Sequence, residues 1–260
     1  MQIATTRVAP RPRAFVRIAG PDAASFLQRM VSNDVEALGE GESCEALLLT
    51  PKARVIAPLR VWRRGGDDFL LLTEPELGET LRAQLLRARF AAKCEVEPEE
   101  HTSTLVLGGG DGIPNADYGI EAVEVLDVEV EGDPVDELEL ERLRILARTP
   151  RFGREIDDRV LPAEAGLDAR AVSFSKGCYP GQEPVARLHY RGHANRTLRV
   201  LELDGDPVPY DAEIVRDGKS VGRVTSAVPG LALAYVRVEV EDDAALEVEG
   251  RPARLRPLPS

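Results

Sequence analysis

The chain has 260 residues, of which 43% are hydrophobic and 30% are charged. This balance is typical of a folded globular protein, and the longest apolar runs, such as residues 46–49, fall far short of the roughly 20 residues in a membrane-spanning helix. The 45 acidic and 33 basic residues give a net charge of −12, which repels a phosphate backbone at long range and argues against nonspecific nucleic-acid binding.

The cysteines and the amino terminus predict a reducing, cytoplasmic environment. Cys44, Cys94 and Cys178 are far apart and odd in number, so they form neither a disulfide framework nor a C-x-x-C metal pair. Free thiols of this kind are typical of reducing compartments. Residues 1–12 lack the apolar core of a signal peptide. We therefore expect a cytoplasmic protein with no membrane partner.

The first hundred residues alternate between strand and helix patterns. Residues 14–18 predict a strand, and Phe26, Leu27 and Met30 then recur at helical spacing behind Asp22, a predicted N-cap. Further strands are predicted at 46–50, 55–62, 69–72, 94–96 and 104–107, with a helix at 77–90. Mixed elements in this order predict an α+β domain with an antiparallel sheet.

The middle of the chain contains a glycine-rich loop, a strand and a helix. Residues 108–112 lack the Lys-Ser/Thr of a phosphate-binding loop, so we interpret them as a flexible connection. Residues 123–130 alternate acidic and apolar side chains, which predicts a half-exposed strand. The following helix, at 135–147, is expected to turn Leu138, Leu143 and Leu146 inward.

Two changes of character mark the last third of the chain. Residues 149–194 are rich in Gly, Pro and varied polar side chains, which is typical of functional loops. After residue 195, short strands separated by turns predict a small barrel or sandwich. We therefore divide the chain into an α+β region of two lobes, 1–195, and a carboxy-terminal β domain, 196–260.

The densest group of chemically useful residues is 173–187, around Cys178. If a helix begins near Gln182, its positive end and Lys176 lie near the thiol, and both favour the thiolate. Glu183 opposes this effect. The alternative interpretation is a buried structural cysteine, which is common in protein cores.

The segment Lys176-Gly177-Cys178-Tyr179, followed by Gly181-Gln182-Glu183 and Arg187, resembles the signature of the YgfZ-type folate-binding proteins. These are relatives of the T-protein of the glycine cleavage system and of mitochondrial iron–sulfur assembly factors. The resemblance extends through residues 18–34, 49–54, 151–167 and 221–226, and so covers nearly the whole chain.

This resemblance implies an α+β fold with three lobes around a central hole, ending in a small antiparallel β-barrel. It implies that tetrahydrofolate, or a derivative, binds in the hole. The implied function is that of a folate-binding accessory protein in iron–sulfur cluster assembly or repair, with a link to tRNA modification, rather than that of a conventional enzyme. Its partners would be folate and iron–sulfur client proteins or assembly machinery. The net charge disfavours tRNA as a direct partner.

The resemblance also assigns site residues. Cys178 would be the functional cysteine, assisted by Lys176, and no metal site is predicted. The implied folate contacts are Lys176, Gly177, Tyr179, Gln182, Glu183, Arg187, Arg144, Leu140 and Asn33. Ala57 and Pro58 stand where the T-protein has a carboxylate that serves aminomethyl transfer. Leu140 stands where the T-protein has an arginine that contacts the pteridine.

Three further features have competing interpretations. His189 and His193 are four residues apart, but Gly192 between them favours a strand or turn over a metal-binding helix. The arginines at 187, 191, 196 and 199 form either a basic strip for folate glutamates or RNA phosphates, or a solvated edge. The alternative function is a folate-dependent aminomethyl or one-carbon transferase, which requires a proton-transfer group that Ala57 and Pro58 do not supply. A tRNA-associated binding module is the third hypothesis.

Overall fold

The computed structural model describes residues 6–157 and 159–257. Along the chain the strands are β1 (Arg7–Pro10), β2 (Ala14–Ala19), β3 (Ser43–Leu49), β4 (Val55–Gly65), β5 (Asp68–Thr73), β6 (Glu95–Glu99), β7 (Ser103–Leu107), β8 (Ile113–Pro114), β9 (Ala122–Leu126), β10 (Asp133–Pro134), β11 (Arg196–Leu203), β12 (Glu213–Arg216), β13 (Lys219–Val228), β14 (Leu231–Arg237), β15 (Leu246–Val248) and β16 (Arg251–Leu255). The helices are α1 (Ala23–Met30), α2 (Gly78–Ala88), α3 (Glu137–Leu146), α4 (Asp168–Ala171) and α5 (Gln182–Arg191). Within the described ranges, no helix has the length and apolar character needed to cross a membrane.

The first lobe is an antiparallel sheet covered by α1 and α2. Its strand order is β3-β4-β5-β2-β6. The helical spacing that predicted α1 places Phe26 and Leu27 in the core beside Ile18 of β2. The predicted N-cap is wrong in one respect: Asp22 makes no side-chain capping bond, because its carboxylate accepts from the Lys93 N–H at 2.8 Å.

The second lobe is a sheet of order β10-β1-β7-β9-β8, and α3 connects it to the barrel. Two predictions are wrong here. The central acidic residue of β9, Glu124, is fully buried rather than half-exposed. In α3, Leu138 is 56% exposed, and Arg144 and Ile145 are buried instead. These side chains face β13 and β14, a neighbour that helical periodicity alone does not identify.

The carboxy-terminal strands close into a barrel of order β11-β14-β13-β12-β15-β16. The α+β class and the small antiparallel barrel predicted from the sequence are confirmed. The barrel strands lie within 196–255, and the division into domains at residue 195 stays a prediction.

The segment between α3 and β11 fills the space between the first lobe and the barrel. A shared apolar core joins Leu47 of β3, Tyr179 of this segment and Leu198 of β11. The two lobes and the barrel therefore surround a common centre, which this segment lines.

Candidate functional site

Lys176 fixes the first end of the 173–187 motif to the first lobe. Its Nζ donates hydrogen bonds to the backbone carbonyls of Gln28, Val31 and Asn33 at 2.6, 2.7 and 2.7 Å. These carbonyls lie at the end of α1, where helix carbonyls lack partners and the dipole favours a cation. An ammonium has three N–H groups, so its donor capacity is used up. Burial lowers the pKa of Lys176 to about 8. Lys176 is thus a positioning residue here, and its assignment as catalytic stays a prediction.

Gly181 fixes the other end of the motif, immediately before α5. Its φ of +83° is left-handed, and a Cβ there would lie 2.6 Å from the Thr50 carbonyl oxygen and 3.1 Å from the Cα of Ala53. Only glycine tolerates both the conformation and this close approach. The turn between β3 and β4 therefore packs directly against the loop that carries Cys178.

Ser32 and Asn33 connect the same elements from the end of α1. The Ser32 hydroxyl donates to the Ala171 carbonyl at 2.6 Å and accepts from the Leu47 N–H at 2.8 Å. The Asn33 amide donates to the Glu45 carbonyl at 2.7 Å. The segments 18–34, 49–54 and 173–187, which carry the sequence resemblance, thus meet in one place. Asn33 serves there as a backbone connector, and its assignment to folate stays a prediction.

Cys178 lies in the loop between these two fixed points, and its side chain is exposed. Cys44 is half-buried and Cys94 is buried. Burial raises the pKa of the Cys44 thiol to about 12, which keeps that thiol protonated. Because the thiolate is the nucleophile and metal ligand, an exposed cysteine is the one suited to chemistry.

The other residues of the motif lie on both sides of the thiol. Tyr179 is buried, with the Lys176 Nζ 5.3 Å from its ring centroid, whereas Gly177 is exposed. The helix predicted near Gln182 is α5, which displays Glu183 and Arg187 to solvent. His189 also lies in α5, so the strand or turn predicted for it is wrong.

A separate cavity of about 90 Å³ lies at the centre, between the lobes. Six arginines and three carboxylates contribute to its wall: Arg11, Arg13, Arg60, Arg144, Arg151, Arg170, Glu45, Glu74 and Asp117. Among the described residues that line it, neither Cys178 nor any other member of 176–187 is present. The exposed thiol and the central cavity are therefore two distinct places on the molecule.

Ion pairs fill this centre. Arg13 contacts Glu124 at 2.6 Å and Asp117 at 3.5 Å, and Arg170 contacts Asp117 at 2.7 Å and also pairs with Glu45. Burial alone would raise the pKa of Asp117 and of Glu124, but the charges of Arg13 and the neighbouring arginines together outweigh it and lower both. These carboxylates are held ionised, and a carboxylate with a low pKa is a weak general base at neutral pH.

Arg144 and Leu140 do not present free groups to the cavity. Arg144 donates to Glu141, Glu155, the Thr149 carbonyl and Ser226. These contacts use all three guanidinium nitrogens, although Arg144 lines the cavity wall. Leu140 packs into the core of the second lobe. Their assignment as folate contacts is untested and stays a prediction.

The fold and its parts are similar to several known proteins. The family described as CAF17, C-terminal beta-barrel domain, matches residues 195–259. The tRNA-modifying protein YgfZ of Cronobacter sakazakii is 25% identical over 257 residues, covering 83% of this chain and 78% of the relative. The mitochondrial iron-sulfur cluster assembly factor IBA57 homolog of Pyricularia oryzae is 25% identical over 291 residues, covering 94% of this chain and 74% of the relative.

A solved structure gives the same result for the fold. The glycine cleavage system aminomethyltransferase T from Bartonella henselae superposes with a TM-score of 0.84 at 20% identity, covering 98% of this chain and 86% of that one. The chain is therefore similar to YgfZ/GcvT-like proteins over most of its length. The resemblance predicted from the motif around Cys178 is thereby confirmed.

The central cavity of this YgfZ/GcvT-like chain does not fit a tetrahydrofolate in the arrangement described. Small-molecule sites typically enclose about 300 Å³ or more, against about 90 Å³ here. One observation points the other way: the Nε of Arg60, which lines the cavity, is buried without a hydrogen-bond partner within the described chain. A folate could enter only if the surrounding ion pairs separated.

Sequence reasoning missed the charges at the centre of the molecule. Arg60 and Glu124 lie within apolar strand segments, β4 and β9, and that placement was the available signal. A charge flanked by apolar residues on a buried face needs a partner, because an unpaired buried charge is costly. The identity of each partner depends on contacts between lobes, which the sequence pattern does not give.

Proposed function

We propose that this chain is an accessory protein of iron–sulfur cluster assembly or repair, linked to tRNA modification, and that it acts through the Cys178 thiol. Relatives across most of its length carry the names tRNA-modifying protein and iron-sulfur cluster assembly factor. The segments that carry the family resemblance converge on the loop that displays this thiol.

The exposure of Cys178 between two fixed points is the observation that carries the proposal. Lys176 and Gly181 hold the ends of the loop against the first lobe. The thiol is therefore held in a defined position while it remains accessible to a partner. A thiolate so placed suits three roles: a ligand for iron, an acceptor of sulfur, or a partner in thiol exchange.

Rescue of a deletion strain tests this function. Cys178→Ala should fail to restore iron–sulfur enzyme activities under oxidative stress, whereas Cys44→Ala should restore them. Immunoblots and the thermal midpoints of the purified variants check that both are folded and equally abundant. Full rescue by Cys178→Ala would contradict the proposal.

Folate binding is the second part of the proposal, and it rests on the family resemblance. The unpartnered Arg60 Nε favours a polar ligand at the centre. The small cavity requires that ligand entry separate ion pairs such as Arg170–Asp117. Calorimetric titration with tetrahydrofolate tests this part, since absence of heat at high micromolar ligand would remove it without affecting the role of Cys178.

A folate-dependent aminomethyl or one-carbon transferase is the alternative, favoured by the likeness in fold to an aminomethyltransferase. Ala57 is buried and Pro58 lines the cavity. Neither side chain can accept or donate a proton, so these positions offer no proton-transfer group. The nearby Asp117 has a lowered pKa because Arg13 and Arg170 hold it ionised against the effect of burial. Methylene-tetrahydrofolate produced from aminomethylated carrier protein would support the transferase over our proposal.

A further inference from the structure

Beyond the thiol, α5 carries an aromatic cluster that the proposed function does not use. The rings of Phe174 and His189 are stacked, with centroids 3.8 Å apart and planes 19° apart. Tyr190 meets the His189 ring edge-on at 4.8 Å. Phe174 packs on the core beneath, whereas Tyr190 is 65% exposed. The tyrosine ring is therefore supported from below and open to solvent.

Two unpaired arginines lie on the same face of α5 as this ring. Arg187, Tyr190 and Arg191 are spaced i, i+3 and i+4, so they share one face of α5. Within the described chain, neither arginine has an ion pair or hydrogen bond. The other two arginines of the predicted strip differ, because Arg196 pairs with Glu164 and Arg199 with Asp242. The strip is thus reduced to the pair beside Tyr190.

The net charge of α5 contrasts with that of the whole chain. α5 contains two arginines and one glutamate, Glu183, which gives +1 within a protein of net charge −12. A supported aromatic ring beside unpaired guanidinium groups suits single-stranded nucleic acid, which offers an unstacked base to the ring and phosphates to the arginines. Duplex RNA does not offer an unstacked base to such a ring.

We propose that Arg187, Tyr190 and Arg191 of α5 form a contact surface for single-stranded RNA, with a base stacked on Tyr190. This inference rests on the proposed link to tRNA modification and names the partner surface beside the thiol. An α-helix rises about 1.5 Å per residue, so Tyr190 lies about 12 Å along the axis from the start of α5. A stacked strand advances about 3.4 Å per nucleotide, so three or four nucleotides would cover the distance toward the Cys178 loop.

Fluorescence anisotropy with a labelled oligouridine tests the surface. Tyr190→Ala should weaken binding about 5- to 150-fold, the range for loss of one stacked base. Tyr190→Phe, which keeps the ring, should bind like the wild type. Tyr210→Ala, at a half-exposed tyrosine of the barrel, is the matched control and should have no effect. A matching RNA duplex should bind more weakly than the single strand.

Salt dependence tests the arginines. Two phosphate contacts on a single strand predict a slope of about −1.4 for log K against log salt. Replacing Arg187 and Arg191 with alanine should bring this slope close to zero, whereas replacing the exposed Arg87 and Arg254 should leave it unchanged. Unchanged circular dichroism shows that each variant is folded.

Three outcomes would overturn the proposal: no binding of oligouridine by the wild type, equal binding by Tyr190→Ala, or equal losses in Tyr190→Ala and Tyr190→Phe. If the wild type bound no RNA and Tyr190→Ala still failed to rescue the deletion strain, the surface would be assigned to a protein partner instead. Cys178→Ser should bind oligouridine like the wild type. Failure of the proposed role of Cys178 would therefore be seen in the rescue assay alone.

Discussion

The Cys178 loop and the central cavity use polar groups in opposite ways. In the loop, Lys176 satisfies backbone carbonyls and leaves one thiol exposed. In the cavity, Arg13 and its carboxylate partners satisfy one another and leave little volume. A reactive group is thus available at the surface, whereas the centre is ordered by charges that already have partners. We infer that the central pairs mainly stabilise the arrangement of the lobes, and that the loop carries the function.

The largest effect should come from breaking a central pair. Arg13→Met leaves the fully buried Glu124 without its main partner and should lower the free energy of unfolding by about 3–5 kcal/mol. Urea unfolding measures this loss. Arg216→Met, which removes a more exposed pair with Glu241, should change the same quantity by less than about 1 kcal/mol. Equal effects of the two variants would mean that the central charges are not the stabilising group we describe.

The anchor of the loop should have the next largest effect. Lys176→Met leaves the carbonyls of Gln28, Val31 and Asn33 without this donor and should cost about 2–3 kcal/mol. Lys176→Arg keeps the charge and should recover part of the loss. Limited proteolysis should show earlier cleavage near Cys178 in the methionine variant. An unchanged cleavage pattern would contradict the anchoring role.

The smallest effect should be a pH dependence away from both regions. His101 lies between Glu99 of β6 and Asp127 after β9, and thus joins the two lobes. Burial lowers the pKa of His101, but the hydrogen bonds and charges of Asp127 and Glu99 outweigh it and raise the pKa above 6.5. The stabilisation is therefore complete below about pH 6.5 and is lost as pH rises through the folded-state pKa.

His101→Asn should remove this dependence. Thermal midpoints from about pH 6 to about pH 8 should fall for the wild type and stay flat for the variant, with a difference of no more than about 2–4 °C. Arginine pairs at the centre do not titrate in this range, so they leave the profile unchanged. A wild-type midpoint that rises with pH in parallel with that of the variant would contradict this assignment.

The sequence predicted the fold better than it predicted the centre. Periodicity identified α1, α2 and the barrel strands, because each buries one face against its own neighbours. It misassigned Glu124, because the main partner of this buried carboxylate is Arg13, which is remote in sequence. It misassigned Leu138, because α3 turns a different face toward β13 and β14 of the barrel. The burial of Arg144 follows from the same cause.

The candidate site was predicted as a motif but not as a geometry. The residues around Cys178 were identified, together with the start of α5 near Gln182. The role of Lys176 as a cap for α1 was not predicted, because this contact joins residues about 145 positions apart in the sequence. Sequence spacing also gave no indication that Cys178 and the central cavity lie in different places.

Native-state alkylation is the most direct test of this contrast. With iodoacetamide and mass-spectrometric quantification, Cys178 should be modified first, because it is the exposed thiol, while Cys44 and Cys94 should react only as the protein opens. Addition of urea should raise the rates of the latter two toward that of Cys178. If Cys178 were instead protected to the same extent as Cys94 in the native protein, its thiol would not be presented to a partner, and the loop could not carry the proposed function.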